Sequence, residues 1–529
     1  MDIMREPLDR RSFLRTGLLG ATGLAAGGLV AKAPGAWAAE RAGFGILLDR
    51  PTVTHGVQSG DVTKGSAVIW GRADRPATMI VEWSTHESFV GAHKVTGPVA
   101  TPDSDFTAHQ FIDAMPPSQR IAYRVSFVDI DTGRASEPVQ GSFTTAPTAP
   151  TRDVTFLFTG DNAGQGWGID TSRGGMRGWE TMRTWHADFL IHSGDTVYAD
   201  GPLQPSVALP DGTTWHNLVT PEKAKVAETL AEFRGVFRYN LLDDNVRRFN
   251  AEVPIFVQYD DHEVLNNWYP GEVVDYRPEY TIENRVDVLA PRARQAFHEY
   301  FPIGSTVESV GRVYRRIPYG PLLDVFMLDM RTFRGPNTGD AQTTPGPDTA
   351  FLGADQVAWL VRELRASKAT WKVIAADMPL SLVVTDSPGV LFEAVAQGDP
   401  GAPLGRELEI AGLLSAIRGV ENVVWVTADV HYCAAHYYDP SRAKFQDFDP
   451  FWEFVAGPIH AGTFGPNALD PTFGPTVVFQ KPARYPNMDP SQGFQFFGHV
   501  TIEDKGQRFT VRLVDINNNV LFTKELQAA

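Results

Sequence analysis

Phe189-Leu190-Ile191-His192-Ser193-Gly194-Asp195-Thr196-Val197-Tyr198 is the stretch on which the fold turns. A short apolar run stops at Ser193-Gly194 and delivers an aspartate just past its end. Runs of that length bounded by turn residues read as buried strands. The same pattern recurs five times. Val154–Thr159 precedes Asp161, residues 254–257 precede Asp260-Asp261, and residues 323–328 precede Asp329. Residues 373–376 precede Asp377, and residues 423–428 precede Asp429. Helical periodicity lies between several runs, as in Phe233, Val236 and Phe237, or Val357, Leu360, Val361 and Leu364. Apolar strands separated by amphipathic helices specify a layered α/β domain, whose ligands bind beyond the carboxyl ends of the strands.

An aspartate at one strand end is commonly a helix cap or a turn residue. Six at equivalent positions would repel one another unless cations sit among them, so the pattern points to a metal cluster. The local motifs sharpen that expectation. Gly194 to Tyr198 puts a carboxylate and a phenol on one turn, and Asp260-Asp261-His262-Glu263 adds carboxylates and an imidazole, with Asn266-Asn267 just beyond. Asp429 and His431 share one side of an extended segment, since alternate residues do so in strand geometry. Hard oxygen ligands with one or two imidazoles suit Fe³⁺, Mn²⁺ or Ca²⁺ better than a structural zinc.

Composition narrows the classes. The 529 residues carry 47 Lys+Arg against 63 Asp+Glu, a formal charge of −16, which argues against a nucleic-acid-binding surface. The single cysteine, Cys433, excludes an internal disulfide framework and a multi-cysteine zinc ribbon; a small buried apolar role suits it. Residues 1–38 read as a targeting segment. Asp9-Arg10-Arg11-Ser12-Phe13-Leu14-Arg15 precedes a short Gly/Ala-rich apolar stretch and an Ala36-Trp37-Ala38 cleavage pattern, a form that resembles a twin-arginine export signal. No transmembrane span is expected after cleavage, and the mature chain is expected to be secreted or periplasmic. Residues 39–150 read as an N-terminal all-β sandwich with a linker at Thr148-Ala149-Pro150-Thr151, and residues 151–529 as the catalytic domain. Ile121, Tyr123, Val125 and Phe127 alternate with Ala122, Arg124 and Ser126, the period of a half-buried strand.

Taken in order, Gly160-Asp161, Gly194-Asp195-Thr196-Val197-Tyr198, Tyr259-Asp260-Asp261-His262-Glu263, Leu328-Asp329-Met330-Arg331 and Asp429-Val430-His431 resemble the blocks of the calcineurin-like metallophosphoesterases. They look most like the alkaline phosphatase D (PhoD-like) family, as does the segment Glu453-Phe454-Val455-Ala456-Gly457-Pro458. The resemblance implies an α/β/β/α sandwich and a secreted phosphoric ester hydrolase. It implies Fe³⁺ held by Asp161, Asp195, Tyr198 and His431. A divalent ion, calcium foremost with zinc or manganese as alternatives, would be shared by Asp195, Asp261, Asp377 and Asp429. One position departs: well-known members carry a cysteine near the first block, whereas this chain has Asp161, as purple acid phosphatases do.

The mechanism expected is metal-assisted hydrolysis, in which water acidified by the cations attacks phosphorus in line. His262 is the candidate proton donor to the leaving oxygen or, alternatively, an orienter of a ligand. Arg331 either faces a phosphate or pairs locally with Asp329. His192 and His186 read as packing or surface residues, and His436 and His460 match no motif. The substrate stays open between phosphomonoesters, phosphodiesters and phospholipids, the last hydrolysed in the manner of a phospholipase D. A calcium-dependent envelope binding protein without turnover is the non-enzymatic alternative. It would need neither the phenol of Tyr198 nor the imidazole of His262.

Overall fold

All six apolar runs form strands, three in each of two sheets. In the computed structural model, which describes residues 49–304, 311–386 and 391–529, Val154–Thr159, Phe189–His192 and Ile255–Val257 run parallel side by side. Leu323–Met327, Trp371–Ala375 and Val423–Thr427 do the same in the second sheet, followed by parallel Phe451–Val455. Antiparallel strands complete each sheet. Phe496–Glu503, Arg508–Asp515 and Val520–Gln527 extend the first, and Cys433–Tyr438 and Pro475–Lys481 extend the second.

The six central parallel strands are buried on both faces, and their period of two sorts the side chains into layers. Phe156, Phe158, Phe189, Ile191 and Phe256 of the first sheet share one core with Val325, Met327, Val373, Ala375, Val424 and Val426 of the second. Their neighbours in sequence point the other way. Leu157, Leu190, Ile255 and Val257 pack with the helices Leu230–Asn240, Asp244–Glu252 and Val286–Tyr300. Phe326, Ile374 and Trp425 pack with Ala354–Ala366 and Glu407–Ala416. The result is an α/β/β/α sandwich. Each buried Phe, Leu, Ile or Val contributes about 1.5–3 kcal/mol relative to an exposed one, and this fixes where the strands end.

The N-terminal strands form a β-sandwich, but not one that stands apart. His93–Ala100, Ala77–Ser84, Arg120–Asp129 and Val139–Thr144 make a four-stranded sheet. Val53–Gly60, Ala67–Ala73 and Thr107–Ile112 face it, and they also continue the first of the two sheets through a parallel contact of Gly60 with Ile255. A Cβ on Gly60 would lie 2.5 Å from the Pro302 carbonyl and 2.7 Å from that of Ile255, so only glycine allows the junction. Residues 50–529 accordingly form one compact unit. The linker at 148–151 is exposed, yet it joins two halves of a shared core. The targeting segment at residues 1–38 lies outside the described residues. Among the described residues no helix is long and apolar enough to cross a membrane.

The two sheets touch beside their aspartates, where a Cβ on Gly160 would meet the Cβ of Ala428 at 2.5 Å. Neither atom can rotate away, so Gly160→Ala is expected to destabilise the fold by about 1–3 kcal/mol in chemical denaturation. Adding Ala428→Gly should recover most of that loss. A double variant no more stable than the single one would contradict this contact between the sheets.

Candidate metal centre

The strand ends are bent sharply to aim their side chains. Asp161, Asp195, Asp429 and His431 have φ of 63°, 48°, 62° and 59°, left-handed conformations that cost an L-residue roughly 1–3 kcal/mol each. They persist because strands on either side clamp them. Gly194, with φ of 83°, has no Cβ to strike that of Asp260, and Gly457 leaves room for Asp161 Oδ2.

Three overlapping groups of donors result, each with its ligand atoms within 4.8 Å of one another: Asp161, Asp195 and His431; Asp195, Asp261 and His262; Asp260, Asp261 and Asp429. Asp195 belongs to two of them. Tyr198 joins the first, its hydroxyl 2.9 Å from His431 Nε2, which lies 3.4 Å from Asp161 Oδ1. His431 Nδ1 meets the Gly462 carbonyl at 2.5 Å, a bond that puts the proton on Nδ1 and leaves Nε2 facing the carboxylates. Both oxygens of Asp161 and Oδ1 of Asp261 are buried and have no hydrogen-bond partner among the described residues. Buried anionic oxygens without partners are costly, so these residues fit cations.

Asp377 stands beside this cluster rather than within the three groups. It lies against Asp260 and 3.6 Å from the Arg331 guanidinium. Arg331 does not face open space as a phosphate-binding residue would. Its side chain is fully buried, Nε donates to Asp260 at 2.6 Å, and Nη1 and Nη2 donate to Glu393 at 2.5 and 3.3 Å. Nor do the Asp329 and Arg331 side chains pair. The Asp329 carboxylate accepts from the backbone N–H groups of Arg331 and Thr332 at 3.1 and 2.9 Å and so fixes the turn.

His262 is held from behind by a residue that the sequence motifs do not single out. Its Nδ1 is 2.7 Å from Asp200 Oδ1. Asp200 also accepts from Arg277 Nη1 at 2.9 Å and from the Asn266 backbone at 3.0 Å. Glu263 points away from the cleft and takes the N–H and hydroxyl of Thr196 at 2.7 and 2.6 Å. Asn267 donates its backbone N–H to Asp261 at 2.6 Å. The other histidines are elsewhere. His192 is a core residue against Trp179, His186 is exposed, and His436 pairs with Glu453 at 3.0 Å. His460 turns its ring to the Gly168 carbonyl at 3.0 Å. Cys433 is fully buried in the inter-sheet core.

Burial, compounded by neighbouring carboxylates, pushes Asp161, Asp195, Asp377 and Asp429 well above the ordinary carboxylate range. Burial also raises Asp261, but His262, Arg331 and the Asn267 amide outweigh it and hold this carboxyl below its usual value. Burial works against charge on His262, yet Asp200 and Asp261 carry it up to about 9. Burial lowers His431 to about 4, leaving a neutral imidazole able to act as a donor. Such crowding of anions is what a cation-binding cleft looks like before its charge is balanced.

Known proteins place this geometry. A family model described as PhoD-like phosphatase matches residues 156–513, and one for the N-terminal domain of PhoD-like phosphatases matches residues 39–147. Alkaline phosphatase D of Bacillus subtilis (strain 168) is 27% identical over 481 residues, covering 86% of this chain and 77% of that protein. The structure of PhoD matches with a TM-score of 0.66 at 20% identity, over 91% of this chain and 93% of that one. Purple acid phosphatase PPD1 from yellow lupin (Lupinus luteus) seeds matches with a TM-score of 0.54 at 12% identity, over 90% and 74%. At these identities the two structures speak to the fold. The family is metal-dependent, in keeping with the donor groups above. With the family model covering residues 156–513 and all six aspartate-bearing strand ends, the chain belongs to the PhoD-like phosphatase family and is a phosphoric ester hydrolase.

Proposed function

We propose that the protein is an exported phosphoesterase that hydrolyses phosphomonoesters, phosphodiesters or both at a pair of cations bridged by Asp195. Residues 39–150 serve as its N-terminal domain and residues 151–529 as its catalytic domain. The export reading rests on the paired Arg10-Arg11 and the cleavage pattern at 36–38. The observation that carries the catalytic reading is Asp195, a buried carboxylate with oxygen atoms within 4.8 Å of donor atoms of Asp161 and His431 in one group and of Asp261 in another. Asp161, Tyr198 and His431 complete a position suited to Fe³⁺, and Asp261 and Asp429, with Asp377 nearby, one suited to a divalent ion, calcium foremost. Bound there, the cations would supply Lewis acidity and lower the pKa of water toward neutrality.

The chain's own residues supply the rest. Asp200 fixes the His262 ring through Nδ1, so Nε2 is the nitrogen left to hand a proton to the leaving oxygen. The Asn267 amide and Arg331 steady Asp261 without consuming its free oxygen. Tyr198 and His431 give the first position a phenol and a neutral imidazole, which a binding protein for calcium alone would not need.

Three outcomes test this reading. Asp195→Asn should lose most bound metal by elemental analysis and nearly all phosphate release, because one ligand serves both ions; full metal and turnover would overturn the bridged pair. His262→Ala should keep its metals and lose about 10²–10⁴-fold in rate on alkyl esters, with a smaller loss on activated aryl esters. Equal losses on both would remove the proton-donor role. Tyr198→Phe should bleach a visible charge-transfer band while the fold survives, since Phe keeps the ring and removes the donor oxygen. A colourless, iron-free and fully active wild-type enzyme would instead favour two divalent ions.

A further inference from the structure

Arg331 occupies a position that its role as a local countercharge does not exhaust. It leaves the turn after Leu323–Met327 in the second sheet, and its first partner, Asp260, belongs to the first. Its guanidinium is also 3.6 Å from Asp377 and 3.9 Å from both Asp261 and Asp429. One buried cation therefore meets carboxylates from both sheets and from the segment bearing Glu393. Arginine cannot shed its proton inside a protein, and its planar fork presents five donors in fixed directions, where a lysine has three on one rotating ammonium.

The surroundings hold it there. Arg334 donates to Glu393 at 3.3 Å, and Arg406 binds the carbonyls of Phe392, Glu393 and Ala394 at 2.8, 3.0 and 3.2 Å. The Asp329 carboxylate fixes the backbone of Arg331 itself. None of these groups reaches the first position, where Asp161 remains unpaired. The asymmetry is the informative feature: among the described residues a guanidinium lies within 4.0 Å of the carboxylates of the second cluster, and no arginine or lysine is recorded that close to Asp161.

We infer that Arg331 is a resident cation that keeps the carboxylates of Asp260, Asp261, Asp377 and Asp429 assembled across the two sheets before any metal arrives. This rests on the metal reading above, but its test reads folding of metal-free protein and no turnover. The protein is stripped with a chelator, and thermal unfolding is followed with and without added Mn²⁺ or Ca²⁺. Wild type should be folded without metal. Arg331→Met should unfold about 3–5 °C lower when metal-free. Added metal should then restore most of that loss, so that its metal-induced shift exceeds that of wild type. A merely structural arginine would give a loss that metal does not narrow. Should Arg331→Met fail to fold, Arg331→Met/Glu393→Gln, which removes a buried pair together, decides by the same comparison. A metal-free midpoint equal to wild type, or a metal-induced shift no larger than that of wild type, overturns the inference.

Discussion

Repulsion among buried carboxylates is the constraint on which this structure depends. Two like charges about 4 Å apart cost roughly 4 kcal/mol even at an effective dielectric of 20, and the carboxylates of Asp161, Asp195, Asp260, Asp261 and Asp429, with Asp377 beside them, meet at one edge. The molecule answers in several ways. Arg331 and His262 bring positive charge, and the amides of His262 and Asn267 donate to Asp195 and Asp261 at 3.1 and 2.6 Å. What is left unbalanced, above all at Asp161, is the capacity for cations.

A cluster of this kind needs a frame that does not relax. The inter-sheet core supplies it, because Phe156, Phe158, Phe189 and Phe256 lock against aliphatic side chains of the second sheet. Close packing transmits little give, so the left-handed turns at Asp161, Asp195, Asp429 and His431 stay in conformations an isolated chain would abandon. The stability of the sandwich is thus partly offset by strain at the edge that carries the donor groups.

Much of this was legible because it is local. Each ligand candidate sits within a few residues of the strand end that aims it, so apolar runs and short motifs expose Asp161, Asp195, Tyr198, Asp261, Asp429 and His431 together. The partners that tune them are distant and leave no such mark. Asp200 lies five residues past Asp195, but its meaning depends on meeting His262, which is 62 positions on. Glu393 belongs to no helix or strand and reaches Arg331 only through tertiary folding. The surroundings of Arg331 are hidden for the same reason: a motif shows that an arginine is present, not that carboxylates from distant segments surround it. The N-terminal strands read correctly as a sandwich, yet their continuation into the catalytic sheet rests on the single close approach of Gly60 to Ile255.

The proposed site holds two cations between the sheets with Asp195 between them. Anomalous diffraction from crystals of the active, metal-replete protein addresses it directly. Two peaks are expected about 3.5–4 Å apart, one within reach of Asp161, Tyr198 and His431, the other within reach of Asp261 and Asp429, with Asp195 touching both. A single peak, or a pair placed away from Asp195, would contradict it.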